Sequence, residues 1–393
     1  MPASAPPPTS AMRCPDAIVV GAGVIGLAIA WRAAERGVAV TLIDPAPASG
    51  ASWAAAGMLA PVTEVHYGEQ ALLALNLASN ARYPSFVAEL EACSGKPAGY
   101  RAGGTLAVAL DADDRAVLDE LRDFQRSLGL EVDALTGREC RRLEPMLAPG
   151  VQGGSLVTGD HQVDNRLLTG ALLAATEVVG VRVVRERVSE IVLTHDVATG
   201  VRLDSGAVIA AAAVVLAAGC WSAGIAGLTE EILPPVRPVK GQILRLRVPS
   251  THQPFLTRTV RGTVRGAPVY LVPRAGGELV IGATVEKLGY DERVTAGGVY
   301  ELLRDAHTLV PGITELPLVE SRAGLRPGSP DNAPVVGQSV LPGLVLATGH
   351  YRNGILLTPI TADAVAELLT TGAMPPVMAP FSPHRFSAAT VSA

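Results

Sequence analysis

Apolar and polar positions over the first fifty residues follow an order that predicts three elements. An apolar run at 17–20 reads as a strand, and the glycines Gly21, Gly23 and Gly26 follow it. A helix-like stretch then continues to Arg36, where Gly37 ends it, and a second β-run at 38–43 closes on Asp44. Farther on, residues 112–128 carry Val117, Leu121, Phe124 and Leu128 at helical spacing, with Gly129 placed to stop the helix. Residues 165–179 pass the same test. From 181 the pattern changes to short β-branched runs at 181–184, 191–194, 208–216, 242–248, 269–272 and 279–281, punctuated by Gly and Pro. Such runs without intervening helices predict a largely antiparallel sheet, and so a second domain different in kind from the first. A helix at 297–309, strands near 317–326 and 343–348, and a last helix at 361–371 before Gly372 complete the pattern.

Composition narrows the class. With 393 residues the chain is long enough for two domains, and 48% hydrophobic against 18% charged residues excludes disorder for most of it. A formal charge of −5 offers no footprint for nucleic acid. The mean hydropathy of +0.32 raises the question of a membrane span. The uncharged stretch 17–31 is too short to cross a bilayer, and glycines interrupt it. The stretch 205–229 is uncharged, but Gly206, Gly219, Gly224 and Gly227 make it read as a buried strand, a Gly turn and a short helix. Residues 1–15 are rich in Pro, Ala and Ser and lack the pattern of a signal peptide, which predicts a disordered leader. The Pro/Ser-rich stretch from Pro375 predicts a loosely held tail. Cys14, Cys93, Cys140 and Cys220 are widely spaced without a CxxC pair, which argues against a disulfide framework or a metal site and fits a cytoplasmic location.

The first motif carries chemistry. Gly21 permits the tight turn off the strand, Gly23 lets backbone approach a pyrophosphate, and Gly26 allows the helix to pack close to the sheet. The helix N-terminus then faces the phosphates, and Asp44 is placed to accept hydrogen bonds from a ribose, which disfavours a 2′-phosphate. NAD and FAD share this fingerprint. The following segment, GASWAAAGMLAP from Gly50 to Pro61, has almost no bulky side chains after Trp53, so its backbone could lie against a large planar ligand such as an isoalloxazine.

That fingerprint, the GASWAAAGMLAP loop, the VLAAG strand end at 215–219, RPVKGQ at 237–242, GLRPG at 324–328 and GHYRNGILLTP from Gly349 occur in the order seen in the D-amino-acid oxidase and sarcosine oxidase superfamily of flavoproteins. Over residues 16–372 the chain most resembles the thiamine-pathway glycine oxidases. The resemblance implies an α/β fold of the glutathione-reductase-like, D-amino-acid oxidase type. A Rossmann-like FAD-binding domain would be built from 16–80, 150–235 and 320–372. A mainly antiparallel substrate domain would come from 81–149 and 236–319, with 373–393 as a tail. It implies non-covalent FAD held by the fingerprint glycines, Val24, Ile25, Asp44, Pro45, Ala51, Ser52, Ala56, Gly57, Met58, Val188, Gly219, and His350, Tyr351, Arg352, Asn353, Gly354, Ile355 and Leu356. It places Arg326 and Tyr270 on the substrate carboxylate, with Arg352 near flavin and substrate. It also implies a homo-oligomer, a tetramer in related oxidases, and a hand-off of the imine product to a thiazole synthase.

Three departures qualify the resemblance. No cysteine follows Cys220, so the covalent flavin link of some sarcosine-type oxidases has no residue to form on. Residues 279–282 are apolar where some of those enzymes carry an oxygen-activating lysine, and Arg322 stands where an aromatic residue is often found.

The chemistry expected is hydride transfer from the α-carbon of a neutral amine to flavin, which requires no protein base, so no catalytic residue is assigned, His350 included. Arg326 suits a carboxylate because a guanidinium is always charged and can grip with two parallel hydrogen bonds; Tyr270 would add a neutral donor. Reoxidation by O2 would give peroxide, and the imine would hydrolyse to glyoxylate and ammonia. The nearest alternative is a D-amino-acid dehydrogenase that passes electrons to a quinone. An NAD-dependent dehydrogenase and a non-catalytic nucleotide-binding module are the readings from other classes.

Overall fold

The computed structural model describes residues 15–386. The expected leader falls almost wholly outside these residues, as does Cys14.

The first strand, β1 (Ala17–Val20), runs into α1 (Val24–Glu35) and then β2 (Val40–Ile43), as the pattern predicts. β1 lies in the middle of a six-stranded sheet. β2 and strand Arg182–Val184 lie to one side of it, and strands Ala213–Leu216, Leu344–Thr348 and Val335–Gln338 to the other. All of these strands are parallel except the last, which pairs antiparallel with Leu344–Thr348. α1 is buried on nearly every face because it lies between this sheet and helices Asn165–Val178 and Thr358–Thr371. That is why its sequence is apolar all round rather than striped. A three-stranded antiparallel sheet, Val188–Thr194, Val197–Leu203 and Val208–Ala210, packs on the opposite side through Ile191, Val201 and Leu203.

The second layer is an eight-stranded sheet in the order Leu318–Gly328, Arg237–Arg247, Glu278–Gly282, Ala267–Pro273, Thr259–Val264, Thr105–Ala109, Gly153–Val157, Asp133–Thr136. It is antiparallel except where Thr259–Val264 meets Thr105–Ala109. One face buries Leu244, Leu246, Leu271 and Ile281 under helix Ala296–Leu309. The other presents Ile243, Val272, Val280 and Tyr270 to Ala56 and Met58. Strand alternation thus sends one set of side chains to the core and the other to the seam with the nucleotide domain.

Four findings differ from the pattern reading. The run 208–216 is two strands in two sheets rather than one. The long helix Gln70–Ser94 was not anticipated, since Pro84 and several alanines blur its periodicity; its buried Leu72, Leu75, Tyr83, Phe86 and Leu90 keep helical spacing. Sheet membership cuts across the expected segments: that helix packs on the nucleotide layer, whereas Gly153–Val157 and Leu318–Gly328 pair in the eight-stranded sheet. The tail expected to be loose is packed as far as residue 386. Met378 and Phe381 are buried in the same core as α1, and Arg385 pairs with Asp331 at 2.8 Å, so apolar anchors outweigh the Pro/Ser composition. Among the described residues no helix is long and apolar enough to cross a membrane.

Candidate active site

The site begins at the turn after β1. Gly21 adopts φ +100°, and a Cβ there would stand 2.6 Å from the carbonyl oxygen of Ala217, at the end of the neighbouring strand. A Cβ on Gly26 would meet the Gly21 carbonyl oxygen at 1.8 Å, so α1 touches the turn that launches it. Neither approach is open to a residue with a side chain. The N–H of Val24, at the start of α1, donates to Ser52 Oγ (2.9 Å). Asp44 at the end of β2 accepts from the N–H groups of Ala22 and Ala46, both at 2.7 Å, so it clamps the turn as well as facing the space beyond.

That space is a cavity of about 700 Å³ running from Asp44, Arg187 and Val188 past the glycine turn to Tyr270 and Arg326. Of the residues expected to hold the cofactor, Gly21, Gly23, Val24, Ile25, Asp44, Pro45, Ala51, Ser52, Ala56, Gly57, Met58, Val188, Gly219, His350, Tyr351, Arg352, Gly354 and Ile355 line it. Gly26, Asn353 and Leu356 stand behind the wall. Leu356 is buried in the core with its carbonyl held by Ser79, and Asn353 N–H closes a turn onto the His350 carbonyl (3.0 Å). His350 is buried, its Nε2 lies 3.1 Å from Thr361 Oγ1, and burial pushes its pKa down to about 3. It is therefore a neutral structural ring at ordinary pH.

The planar middle of the cavity is held from behind by residues that the sequence pattern did not single out. Buried Arg274 donates to the carbonyls of Ala56 (2.5 Å) and Val163 (2.9 Å), and Asn165 donates to those of Ser52 (2.8 Å) and Trp53 (2.9 Å). Burial lowers the Arg274 pKa to about 10, so it stays charged at neutral pH. Gly57, at φ +67°, is required because a Cβ would lie 2.0 Å from the Val163 carbonyl oxygen. Arg274 directly follows the strand Ala267–Pro273 that carries Tyr270, and a charged residue just past an apolar strand was the available signal.

At the far end, Arg326 and Tyr270 come together over two glycines. Gly241 underlies the Arg326 guanidinium and Gly282 underlies the Tyr270 ring, each so closely that a Cβ would collide. Arg326 Nη1 donates to the carbonyls of Thr284 (3.2 Å) and Lys240 (3.4 Å). Burial raises the Tyr270 pKa against the opposing pull of Arg326, so the phenol remains a neutral donor. Three more arginines line the cavity, and each has a carboxylate: Arg187 with Asp204 (3.8 Å), Arg261 with Glu64 (3.0 Å) and Arg352 with Glu69 (3.3 Å). Arg326 has none among the described residues. Arg352 also donates to His66, whose pKa burial and Arg352 together lower, so in this state it is held by the segment around residues 66–69 rather than turned to Arg326. Glu64, His66 and Arg261 escaped the sequence reading, although Glu64 and His66 follow the small-residue loop within a few positions.

A turn built on close glycine contacts at a helix N-terminus, an acidic residue at the next strand end, and a small-residue wall continuing to a cation form a long cradle. Its parts suit FAD: ribose near Asp44, pyrophosphate at the start of α1, and the ring system along 50–58.

Comparison with known proteins agrees. The model of the DAO family, FAD dependent oxidoreductase, matches residues 16–368. The glycine oxidase of Geobacillus kaustophilus is 37% identical over 93% of this chain and 96% of its own length, and its crystal structure superposes with a TM-score of 0.84, at 36% identity over 94% of this chain and 98% of that one. The glycine oxidase structure from Bacillus cereus gives a TM-score of 0.83 at 30% identity, covering 91% of this chain and 96% of its own. The bifunctional ThiO/ThiG protein of Synechocystis is 37% identical over 95% of this chain, which spans only 54% of that relative's length. The chain belongs to the DAO family of FAD-dependent oxidoreductases.

Proposed function

We propose that the chain oxidises glycine, together with sarcosine and small D-amino acids, at the cavity end formed by Arg326 and Tyr270. The observation that carries this reading is the cavity-facing guanidinium of Arg326, without a carboxylate partner among the described residues and beside the half-buried neutral phenol of Tyr270. That arrangement matches one substrate carboxylate, with two charge-assisted bonds from Arg326 and one neutral bond from Tyr270. The carboxylate so held, the α-carbon is turned toward the Ala56–Met58 wall, along which the ring system would lie. Met58, Ile243 and Ala283 make that part of the wall apolar, which favours a neutral amine. FAD, when bound, supplies the two-electron acceptor for the substrate hydride. Neutral Tyr270 and neutral His350 need exchange no proton with substrate, in keeping with the absence of an assigned base.

The balanced reaction is glycine, O2 and water giving glyoxylate, ammonia and hydrogen peroxide. The bifunctional relatives carry a ThiG partner in the same chain, and on that support we place the imine product as a supply for thiazole synthesis. The first test is a visible spectrum of the purified holoprotein before and after anaerobic glycine. Bleaching supports the reading, and a flavin unmoved by glycine, sarcosine and D-alanine would refute it. Rapid recovery of the spectrum in air supports O2 as acceptor; protein that stays reduced would shift the assignment to a quinone-linked dehydrogenase. Replacing Arg326 by Lys should lower glycine kcat/KM by about 10–100-fold, the loss of one charge-assisted bond, while flavin stays bound.

A further inference from the structure

The substrate end holds more cations than one carboxylate needs. Arg261 lies directly across the strand pair from Tyr270, and paired residues of adjacent strands point to the same face, so its guanidinium enters the same chamber as that of Arg326, with Tyr270 feeling the charge of both. Glu64 meets it there at 3.0 Å, both side chains being mostly buried. Their meeting is prepared by a third residue. Asp160, fully buried, accepts from the N–H groups of Val62 (3.1 Å) and Thr63 (2.7 Å) and from the Thr63 hydroxyl (2.6 Å), which fixes the segment that delivers Glu64. Arg352 is occupied in the same way by Glu69. Three guanidiniums against two carboxylates leave one positive charge, that of Arg326.

We propose that Glu64 is a specificity-determining residue: by occupying Arg261 it reserves the chamber for amines with a single carboxylate, and without it Arg261 becomes a subsite for a second one. A substrate with an anionic side chain meets Glu64 as a like charge and finds Arg261 already paired. Removing the carboxylate reverses both effects. The inference rests on the reading of Arg326 as the first carboxylate anchor.

The test compares D-alanine with D-aspartate, which differ by one carboxylate, and acetate with malonate as non-reacting probes. In flavin-loaded Glu64→Gln the ratio of kcat/KM for D-aspartate over D-alanine should rise at least tenfold. Malonate should tighten by a similar factor relative to acetate, read from perturbation of the flavin absorption. The double variant Glu64→Gln/Arg261→Met should lose both gains. Ratios within twofold of the wild type, or gains that persist in the double variant, would overturn the assignment. Should Glu64→Gln fail to fold, Arg261→Gln serves from the other side: with Glu64 left unpaired, acetate should weaken about tenfold, and unchanged affinity would count against the proposal. Wild-type turnover of glycine tests the underlying reading separately, because the two probe anions report on the chamber whether or not turnover occurs.

Discussion

The two ends of the cavity are built by different means. At the nucleotide end the working groups are backbone: the turn at Gly21 to Gly26, the N-terminus of α1, and loop carbonyls held by Arg274 and Asn165. At the substrate end they are polar and charged side chains from four separate stretches of chain: Glu64 and Glu69 from the segment before the long helix, Arg261 and Tyr270 from one pair of sheet strands, Arg326 from the edge strand Leu318–Gly328, and Arg352 from the loop after strand Leu344–Thr348. The first construction accepts a bulky ligand of fixed shape and tolerates almost no added atom. The second, on the proposed reading, counts charge, so that a change of one charge should alter what it accepts. Glycines serve both, though to opposite purposes: Gly21 and Gly26 bring backbone against backbone, whereas Gly241 and Gly282 clear the sheet so that a guanidinium and a phenol can lie on it.

The largest effect should come from the backbone end. Gly26→Val places a Cβ where the Gly21 carbonyl oxygen already stands, and backbone cannot step aside as a flexible side chain can. The variant should lose about 3 kcal/mol of stability and purify without flavin, as read by the ratio of flavin to protein absorbance. Full flavin occupancy would break the distinction drawn here. Gly241→Ala should act at the other end only, because the obstructed neighbour is the Arg326 guanidinium. KM for glycine should rise about tenfold, some 1.4 kcal/mol, with flavin content preserved; a loss of flavin instead would show that the two ends fold as one unit.

How much of this was legible follows the same division. The fingerprint and the GASWAAAGMLAP loop are contiguous, so their function could be read from local order, whereas the cofactor role of the GHYRNGILLTP stretch rests on family resemblance. Even there, Leu356 was assigned to the wall and belongs to the core, because a run of apolar residues does not say which of them faces inward. Arg326 and Tyr270 were reached through family resemblance. No spacing connects Glu64 with Arg261, nearly 200 positions apart, one in a turn and the other in a strand, and only the paired register of strands Thr259–Val264 and Ala267–Pro273 brings Arg261 beside Tyr270. The helix Gln70–Ser94 was missed for a local reason, since Pro84 and exposed alanines weaken the contrast between its faces.

His350 lies between the two ends and gives the smallest and most specific prediction. Its pKa is depressed from 6.5 to about 3 by burial, so the folded state resists the proton that the unfolded chain takes up readily. The stability this neutral ring contributes is complete above pH 6.5 and is lost as pH falls toward 3. Between pH 7 and 5.5 the loss is roughly 1 kcal/mol. Asp160 acts with the opposite sign: burial raises its pKa to about 6, so the folded state takes a proton more readily than the unfolded chain and gains stability as pH falls through that value. The wild-type acid slope therefore sums contributions of both signs, and only a difference between variants isolates each group. His350→Gln keeps a polar group beside Thr361 and removes the titration. Whatever its stability at neutral pH, its melting temperature should fall less than that of the wild type on going from pH 7 to 5.5, by about 1–2 °C for a chain of this size. An identical fall in both would mean that His350 titrates normally, hence that water reaches this part of the cavity wall, and the dry boundary between the backbone-built and charge-built ends would have to be redrawn.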